Sequence, residues 1–166
     1  MEPGTSHARV EHGTADSEIA ERLGLAPGTP IFQLERVRTA DSRPVIFTVD
    51  VIPADLVREA GVDPDVLLDP ALSLYRLYAE RLGRSITDGQ ASIRLTRADT
   101  LVADRLAIPV GSPILRLEQV DATAEGEPVL FSVESYVADT FEFSVHRRGP
   151  ALDALPTRAR PARLSG

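Results

Sequence analysis

The chain has 166 residues and about 18 kDa, the size of one domain with or without tails. Apolar residues make up 43%, which excludes general disorder, and the absence of cysteine excludes disulfides, thiol catalysis and thiolate metal sites. The net charge of −7 is uneven: residues 1–146 hold 13 Arg and 24 acids (net −11), while 147–166 hold five Arg and one acid (net +4), so the acidic body should repel a phosphate backbone.

No apolar run approaches the roughly 20 residues of a membrane helix, and residues 1–4 do not read as a secretory signal. A cytoplasmic setting is expected, with no membrane partner.

Taken in chain order, the pattern predicts a short strand at 8–12 and a helix from Asp16, a plausible N-cap, to Leu23. A Pro-Gly-Thr-Pro turn at 27–30 precedes a long strand at 31–39. A polar turn at 40–43 then gives a hairpin with a strand at 44–52. Residues 53–89 hold one clear helix. It begins at Asp69-Pro70, runs through Ala71, Leu74, Tyr75, Tyr78 and Leu82 at helical spacing, and stops at Gly83. The first series of elements then returns. It comprises a strand at 91–95, a helix from Asp99 to Leu106, a turn ending at Pro113, a strand at 114–122, a turn at 123–127 and a strand at 128–137.

The return is visible residue by residue. At an offset of 83, residues 7–40 match 90–123 with 12 identities in 34 positions. A one-residue insertion at Gly126 then brings Pro44-Val45-Ile46-Phe47-Thr48-Val49-Asp50 onto Pro128-Val129-Leu130-Phe131-Ser132-Val133-Glu134. Copies 7–52 and 90–137, joined by 53–89, are too few for a solenoid and should complete one common core. The expected fold is α+β, with six mostly antiparallel strands and helices. The domain should span 7–146, and the Arg- and Pro-rich tail 147–166 reads as disordered or a linker.

Enzyme motifs are missing: no Gly-x-Gly-x-x-Gly, phosphate loop, Gly-x-Ser-x-Gly or His-Glu-x-x-His. His7, His12 and His146 are scattered, with His7 and His12 on opposite faces of one strand, so no metal site or cofactor is expected. The candidate site lies where the copies differ. Phe32, Leu34, Arg36 and Arg38 share one strand face, and their counterparts are Leu115, Leu117, Gln119 and Asp121. Two arginines beyond an apolar pair either pair with Asp50 and Glu134, emerge into water, or clamp an anion in a buried pocket. An unliganded buried arginine burdens the fold, so removing Arg36 should leave folding intact or improved. Ser73 and Tyr75 occupy the first turns of the 69–83 helix. There they either serve the helix end and the core or add donors for an anion. Thr48, Asp50, Ser132, Glu134 and Tyr136 form a polar series that is either the wet face of a one-sided sheet or the lining of a cavity.

Ala-Glu-Arg-Leu-Gly-Leu (20–25), Pro-Gly-Thr-Pro (27–30), Leu-Glu-Arg-Val-Arg (34–38), Arg-Pro-Val (43–45), Ser-Leu-Tyr (73–75) and Gly-Ser-Pro-Ile-Leu-Arg-Leu-Glu (111–118) resemble the UTRA domain. So does the closing stretch at 128–143. That domain is the effector-binding part of GntR-type, HutC-subfamily bacterial transcription regulators. The resemblance implies a chorismate lyase-like fold that binds a small anionic molecule, such as a sugar phosphate or carboxylate, without transforming it. It implies ligand contacts at Arg36, Arg38, Ser73 and Tyr75, where the family's anion-holding residues fall. Thr48 stands where the family often has Glu. The resemblance also implies a homodimer that reaches DNA only through a helix-turn-helix domain not in this chain. A chorismate lyase-like enzyme and a free-standing ligand-binding protein are the alternatives. The candidate ligand-binding set is therefore Arg36, Arg38, Thr48, Asp50, Ser73, Tyr75, Glu134 and Tyr136.

Overall fold

A computed structural model describes residues 2–142 and 144. The expectation for the tail at 147–166 falls outside the described residues. Six strands form one sheet: β1 (Pro3–Thr14), β2 (Pro30–Ala40), β3 (Arg43–Pro53), β4 (Asp88–Arg97), β5 (Pro113–Ala122) and β6 (Pro128–Val137). Their order is β1-β2-β3-β6-β5-β4, and every neighbouring pair is antiparallel. The fold is α+β, as the pattern predicts. β1 and β4 are longer than the predicted 8–12 and 91–95, because each pairs along the whole of the long strand beside it.

Helices α1 (Ser17–Leu23) and α4 (Thr100–Leu106) start where the sequence places them. The Asp16 carboxylate accepts from the Ile19 amide at 2.8 Å, and that of Asp99 accepts from Val102 at 2.9 Å. The turns that follow also match. Gly28 and Gly111 sit at φ 85° and 84°, a conformation that a side chain rarely tolerates. Beside them the hydroxyls of Thr29 and Ser112 donate to the carbonyls of Ala26 and Pro109.

These two helices cross over. α1 precedes β2 in the chain but packs against β6; α4 precedes β5 but packs against β3. Ile19, Ala20 and Leu23 therefore bury against Phe131, while Val102 and Leu106 bury with Val37 and Phe47. Matched ion pairs fix the exchange: Arg22 of α1 reaches Glu118 of β5 at 3.0 Å, and Arg105 of α4 reaches Glu35 of β2 at 3.3 Å. Neither four-element series has a complete core without the other.

The opposite sheet face is covered by the connecting segment. It carries α2 (Ala54–Glu59), a 3₁₀ turn (Pro64–Leu68) and α3 (Leu74–Glu80). Ala54, Val57, Leu67, Leu74, Leu77 and Tyr78 bury against Phe32, Leu34, Ile52, Val129 and Leu130. The fully buried Tyr78 hydroxyl donates to the Val129 carbonyl at 2.7 Å and pins α3 over β6. The sheet thus lies between two helical layers. The reading of Thr48 and Asp50 as a wet face is overturned, since both are 4% exposed.

The helix predicted from Asp69 begins later. The Asp69 carboxylate accepts from the Ala71 amide at 2.9 Å, and its carbonyl accepts from Leu72 at 3.0 Å. The chain therefore turns at 69–72 before helical bonding starts. Ser73 is the N-cap residue, with no side-chain capping bond, so its hydroxyl is not committed to the helix end.

Glu118 gathers three guanidiniums: Arg22 and Arg116 at 3.0 Å and Arg94 at 3.2 Å. Burial pushes its carboxyl up, but the bond from Arg116 and the charges of Arg116, Arg94 and Arg22 outweigh this and hold it below the usual range. A lowered folded pKa gives stability that is present above the unfolded value and lost as pH falls through the folded one. The melting temperature of Glu118→Gln should lie below that of the parent at neutral pH, and the gap should shrink as pH is lowered through the carboxylate range. Thermal denaturation of both proteins across pH checks this; a gap that stays constant or widens would contradict it.

Candidate functional site

Alternating side chains of β2, β3, β6 and β5 project from one sheet face, and the registers align them in rows. One row reads Leu34, Asp50, Ser132, Gln119; the next reads Arg36, Thr48, Glu134, Leu117; then come Arg38, Ile46, Tyr136 and Leu115. The turn at 69–72 and the start of α3 lie over the first rows and leave a cavity of about 390 Å³. That is enough for a small organic ligand.

Six of the predicted site residues line this cavity: Arg36, Arg38, Asp50, Ser73, Tyr75 and Glu134. Thr48 and Tyr136 do not. Thr48 is buried between Arg36 and Glu134 in its row, and its hydroxyl has no hydrogen-bond partner. Tyr136 lies one row further on, donates its hydroxyl to Glu134 and packs edge-on against Phe141. Burial, together with the Glu134 carboxylate, pushes that phenol up.

The two arginines are not equivalent. Arg36 is 5% exposed and already paired: its Nη2 lies 2.8 Å from Asp50 Oδ2. Its Nη1 donates to the Leu72 carbonyl at 3.3 Å, tying β2 to the turn above it. The second Asp50 oxygen accepts from the Ser132 hydroxyl at 2.7 Å. Of the Arg36 nitrogens, Nε alone is buried without a partner. Arg38, exposed at the cavity wall, forms no ion pair among the described residues. Of the pairings the sequence left open, Arg36 with Asp50 is realised. It coexists with a cavity rather than replacing one.

Tyr75 lines the cavity from the α3 side, with its hydroxyl engaged at the β5 wall. It is 51% exposed, and its hydroxyl reaches across to β5, accepting from Gln119 Nε2 at 3.0 Å and donating to Asp121 at 3.3 Å. Asp121 is 2% exposed and also accepts from Gln119 at 2.6 Å. Burial pushes its carboxyl up against the pull of those two bonds, and the nearby Asp50 charge adds to the rise. Burial, followed by the Asp121 charge, pushes the Tyr75 phenol up as well. Room for the Asp121 carboxylate comes from Gly89, its cross-strand partner: a Cβ there would stand 2.7 Å from Oδ1.

Gln119 and Asp121 are lining residues that the sequence reading did not assign to the site, and Ser132, which it read as a possible cavity lining, joins them. The signal was present. Gln119 and Asp121 occupy the positions matching Arg36 and Arg38, and matching positions of two series joined at β3 and β6 fall on the same sheet face. They are the far wall of the same cavity.

An antiparallel sheet with one face crossed by exchanged helices and a polar cavity on the other defines a class of α+β domain, and the comparisons place the chain within it. The sequence model of the UTRA domain matches residues 1–142, and the chain belongs to that family. It is similar to the HTH-type transcriptional regulator Rv0792c of Mycobacterium tuberculosis, at 31% identity over 140 residues covering 80% of this chain and 48% of that protein. It is also similar to the regulator GmuR of Bacillus subtilis, at 27% identity over 75% of this chain and 50% of that one. The chain spans about half the length of the curated relatives it matches. Among solved structures, a GntR-family transcriptional regulator from Enterococcus faecalis superposes with a TM-score of 0.73 at 29% identity, covering 88% of this chain and all of that one. The effector domain of PhnF from Mycobacterium smegmatis superposes with a TM-score of 0.77 at 25% identity, covering 89% and 88% of the two chains.

The buried pair revises one expectation. Arg36→Ala leaves Asp50 charged and buried without its cation, so it should destabilise the fold by about 3–5 kcal/mol rather than spare it. Replacing both residues in Arg36→Ala/Asp50→Ala should cost less than the sum of the single changes. Urea denaturation of the three variants measures this; additive losses would show that the pair is not coupled.

Proposed function

We propose that this chain is the effector-sensing domain of a bacterial, cytoplasmic transcription regulator of the HutC type, and that its cavity binds a small anionic molecule such as a sugar phosphate or a carboxylate. The observation that carries this reading is Arg38, without an ion-pair partner among the described residues, at the wall of a cavity that also holds Arg36, with its free Nε–H, and Ser73, with its uncommitted hydroxyl. Together they offer charge-assisted hydrogen bonds to a phosphate or carboxylate oxygen. Ligand and fold are coupled through Arg36. It touches both the cavity and the Leu72 carbonyl, so occupancy favours one arrangement of the segment that leads into α3. The curated relatives are named as transcriptional regulators, which supports sensing over chorismate lyase-type catalysis.

DNA contact belongs to a helix-turn-helix domain elsewhere in the regulator, as the HTH-type names of the relatives and their greater length suggest. The regulator acts as a homodimer. Edge strand β4 supports this: all ten of its residues are exposed, Ile93 by 49% and Leu95 by 72%. Equilibrium sedimentation at high concentration should give twice the monomer mass; a monomer throughout would contradict the dimer.

Arg38 is the residue to test first, because it forms no ion pair among the described residues. Arg38→Ala should keep the parent melting temperature within a degree or two and weaken anionic ligand binding by about 1.5–3 kcal/mol. Calorimetric titration with glucose 6-phosphate and with citrate, as one phosphate and one carboxylate probe, reads the effect. Parent-like affinity in the variant for whichever probe binds would sink the anion site.

A further inference from the structure

We propose that a second copy of this chain pairs along β4 with its two-fold axis at Ile93, and that each copy thereby brings Arg97 to the Asp121 wall of the other's cavity. The inference rests on the dimer reading of β4 and goes beyond it: it gives the register of the contact and makes the β5 end of the cavity a shared site.

The β4 edge presents backbone groups that β5 does not use. Its register against β5 continues to Ala98, whose amide donates to the Ser112 carbonyl at 2.9 Å. In an antiparallel ladder, hydrogen-bonded pairs alternate with pairs whose N–H and C=O groups turn away. The even-numbered residues from Asp88 to Ala98 therefore bond β5, while Gly89, Ala91, Ile93, Leu95 and Arg97 direct theirs to the open edge. The same five residues lie on the cavity face, in the rows of Asp121, Gln119, Leu117, Leu115 and Pro113. The strand runs without a bulge or a proline, two devices that keep an edge from pairing.

A two-fold axis normal to the sheet keeps both cavity faces on one side, so each outward residue must meet another outward residue. With the axis at Ile93, Ile93 meets its own copy, Leu95 meets Ala91 and Arg97 meets Gly89. An axis at Ser92 would set Leu95 on Gly89 and carry Arg97 past the start of the facing strand. Charge selects the first register. Asp121 is 2% exposed and bonded to the neutral Gln119 and Tyr75, with no cation among the described residues. Buried carboxylates are ordinarily paired with a positive group. Its side chain leans over Gly89, where a Cβ would stand 2.7 Å from Oδ1, so the missing side chain opens Asp121 towards the edge. Across that opening the partner's Arg97 would have its α-carbon roughly 10 Å from that of Asp121, two cross-strand spacings of about 5 Å. An extended arginine and an aspartate together span such a gap. In its own chain Arg97 is exposed, donates from Nη1 to the Gly111 carbonyl at 3.0 Å and forms no ion pair among the described residues, so its guanidinium has donors to spare. On the other face Arg94 falls against the neutral Ser92 of the partner.

The chain has no cysteine, so single cysteines report the register directly. In the proposed pairing the two copies of residue 93 face each other within disulfide reach, whereas the two copies of residue 92 are diagonal neighbours about 7–8 Å apart and out of reach. Under mild oxidation Ile93→Cys should therefore give a covalent dimer at a protein concentration where Ser92→Cys stays uncrosslinked. Sedimentation equilibrium then tests the ion pair. Arg97→Gln and Asp121→Asn should each weaken dimerisation about tenfold or more, the factor for a hydrogen bond to a charged group, and the double variant should be no weaker than either single one. Arg97 is exposed, so its substitution leaves the monomer fold intact and keeps the test valid if Asp121→Asn misfolds. A parent that stays monomeric overturns the dimer reading and the proposal together. A dimeric parent in which Ser92→Cys crosslinks instead, or neither cysteine does, overturns the register while the dimer stands. Crosslinking at residue 93 with parent-like dimerisation of Arg97→Gln overturns the shared site.

Discussion

The buried ion pair between Arg36 and Asp50 is the constraint around which the cavity is arranged. Two charges removed from water are tolerated only when their remaining donors and acceptors are satisfied. Ser132 occupies one Asp50 oxygen, and the Leu72 carbonyl takes one Arg36 N–H. Those contacts join β2, β3 and β6 to the turn above them. The turn in turn fixes where α3 begins, and so where Ser73 and Tyr75 stand. A leucine pair in place of Arg36 and Asp50 would pack the floor well, but it would remove both the polar cavity and the link from its floor to its roof.

The opposite sheet face does a different job. There the crossed helices α1 and α4 bury leucine, isoleucine and valine, and the Arg22–Glu118 and Arg105–Glu35 pairs lock each helix to the other series of strands. The cavity face instead carries polar groups inside its core, and the Arg36 Nε–H and the Thr48 hydroxyl are both buried there without partners. Such groups are costly in an empty protein and are what a ligand can repay.

Much of the fold was legible in the sequence because its signals were local. Asp16 and Asp99 act as caps, the turns at Gly28 and Gly111 form where they read, and β6 spans the residues the alternation marked. The length of β1 and β4 was not legible, since it is set by ladder partners distant in sequence. Nor was the late start of α3: Asp69-Pro70 carries a good helix-start signal, but its carboxylate closes a turn onto Ala71 instead. The site was half legible. Arg36, Arg38 and Ser73 emerged from charge on a core-facing strand and from position near a helix. Gln119 and Asp121 were visible as their counterparts, yet only the sheet order, with β3 beside β6, makes counterparts into opposite walls. Thr48 and Tyr136 share the face but do not line the cavity, a difference that strand alternation does not encode.

The central claim is that anions bind on the α3 side of the sheet, and not at the arginine cluster of Arg22, Arg94 and Arg116 around Glu118 on the other side. Nuclear magnetic resonance of arginine side chains and backbone amides, recorded while glucose 6-phosphate is added, separates the two directly. The account expects saturable shifts at the Arg38 guanidinium, the Ser73 amide and the Gln119 side-chain amide, with the Arg22, Arg94 and Arg116 signals unmoved. Shifts confined to those three arginines, with Arg38 and Ser73 unchanged, would contradict it.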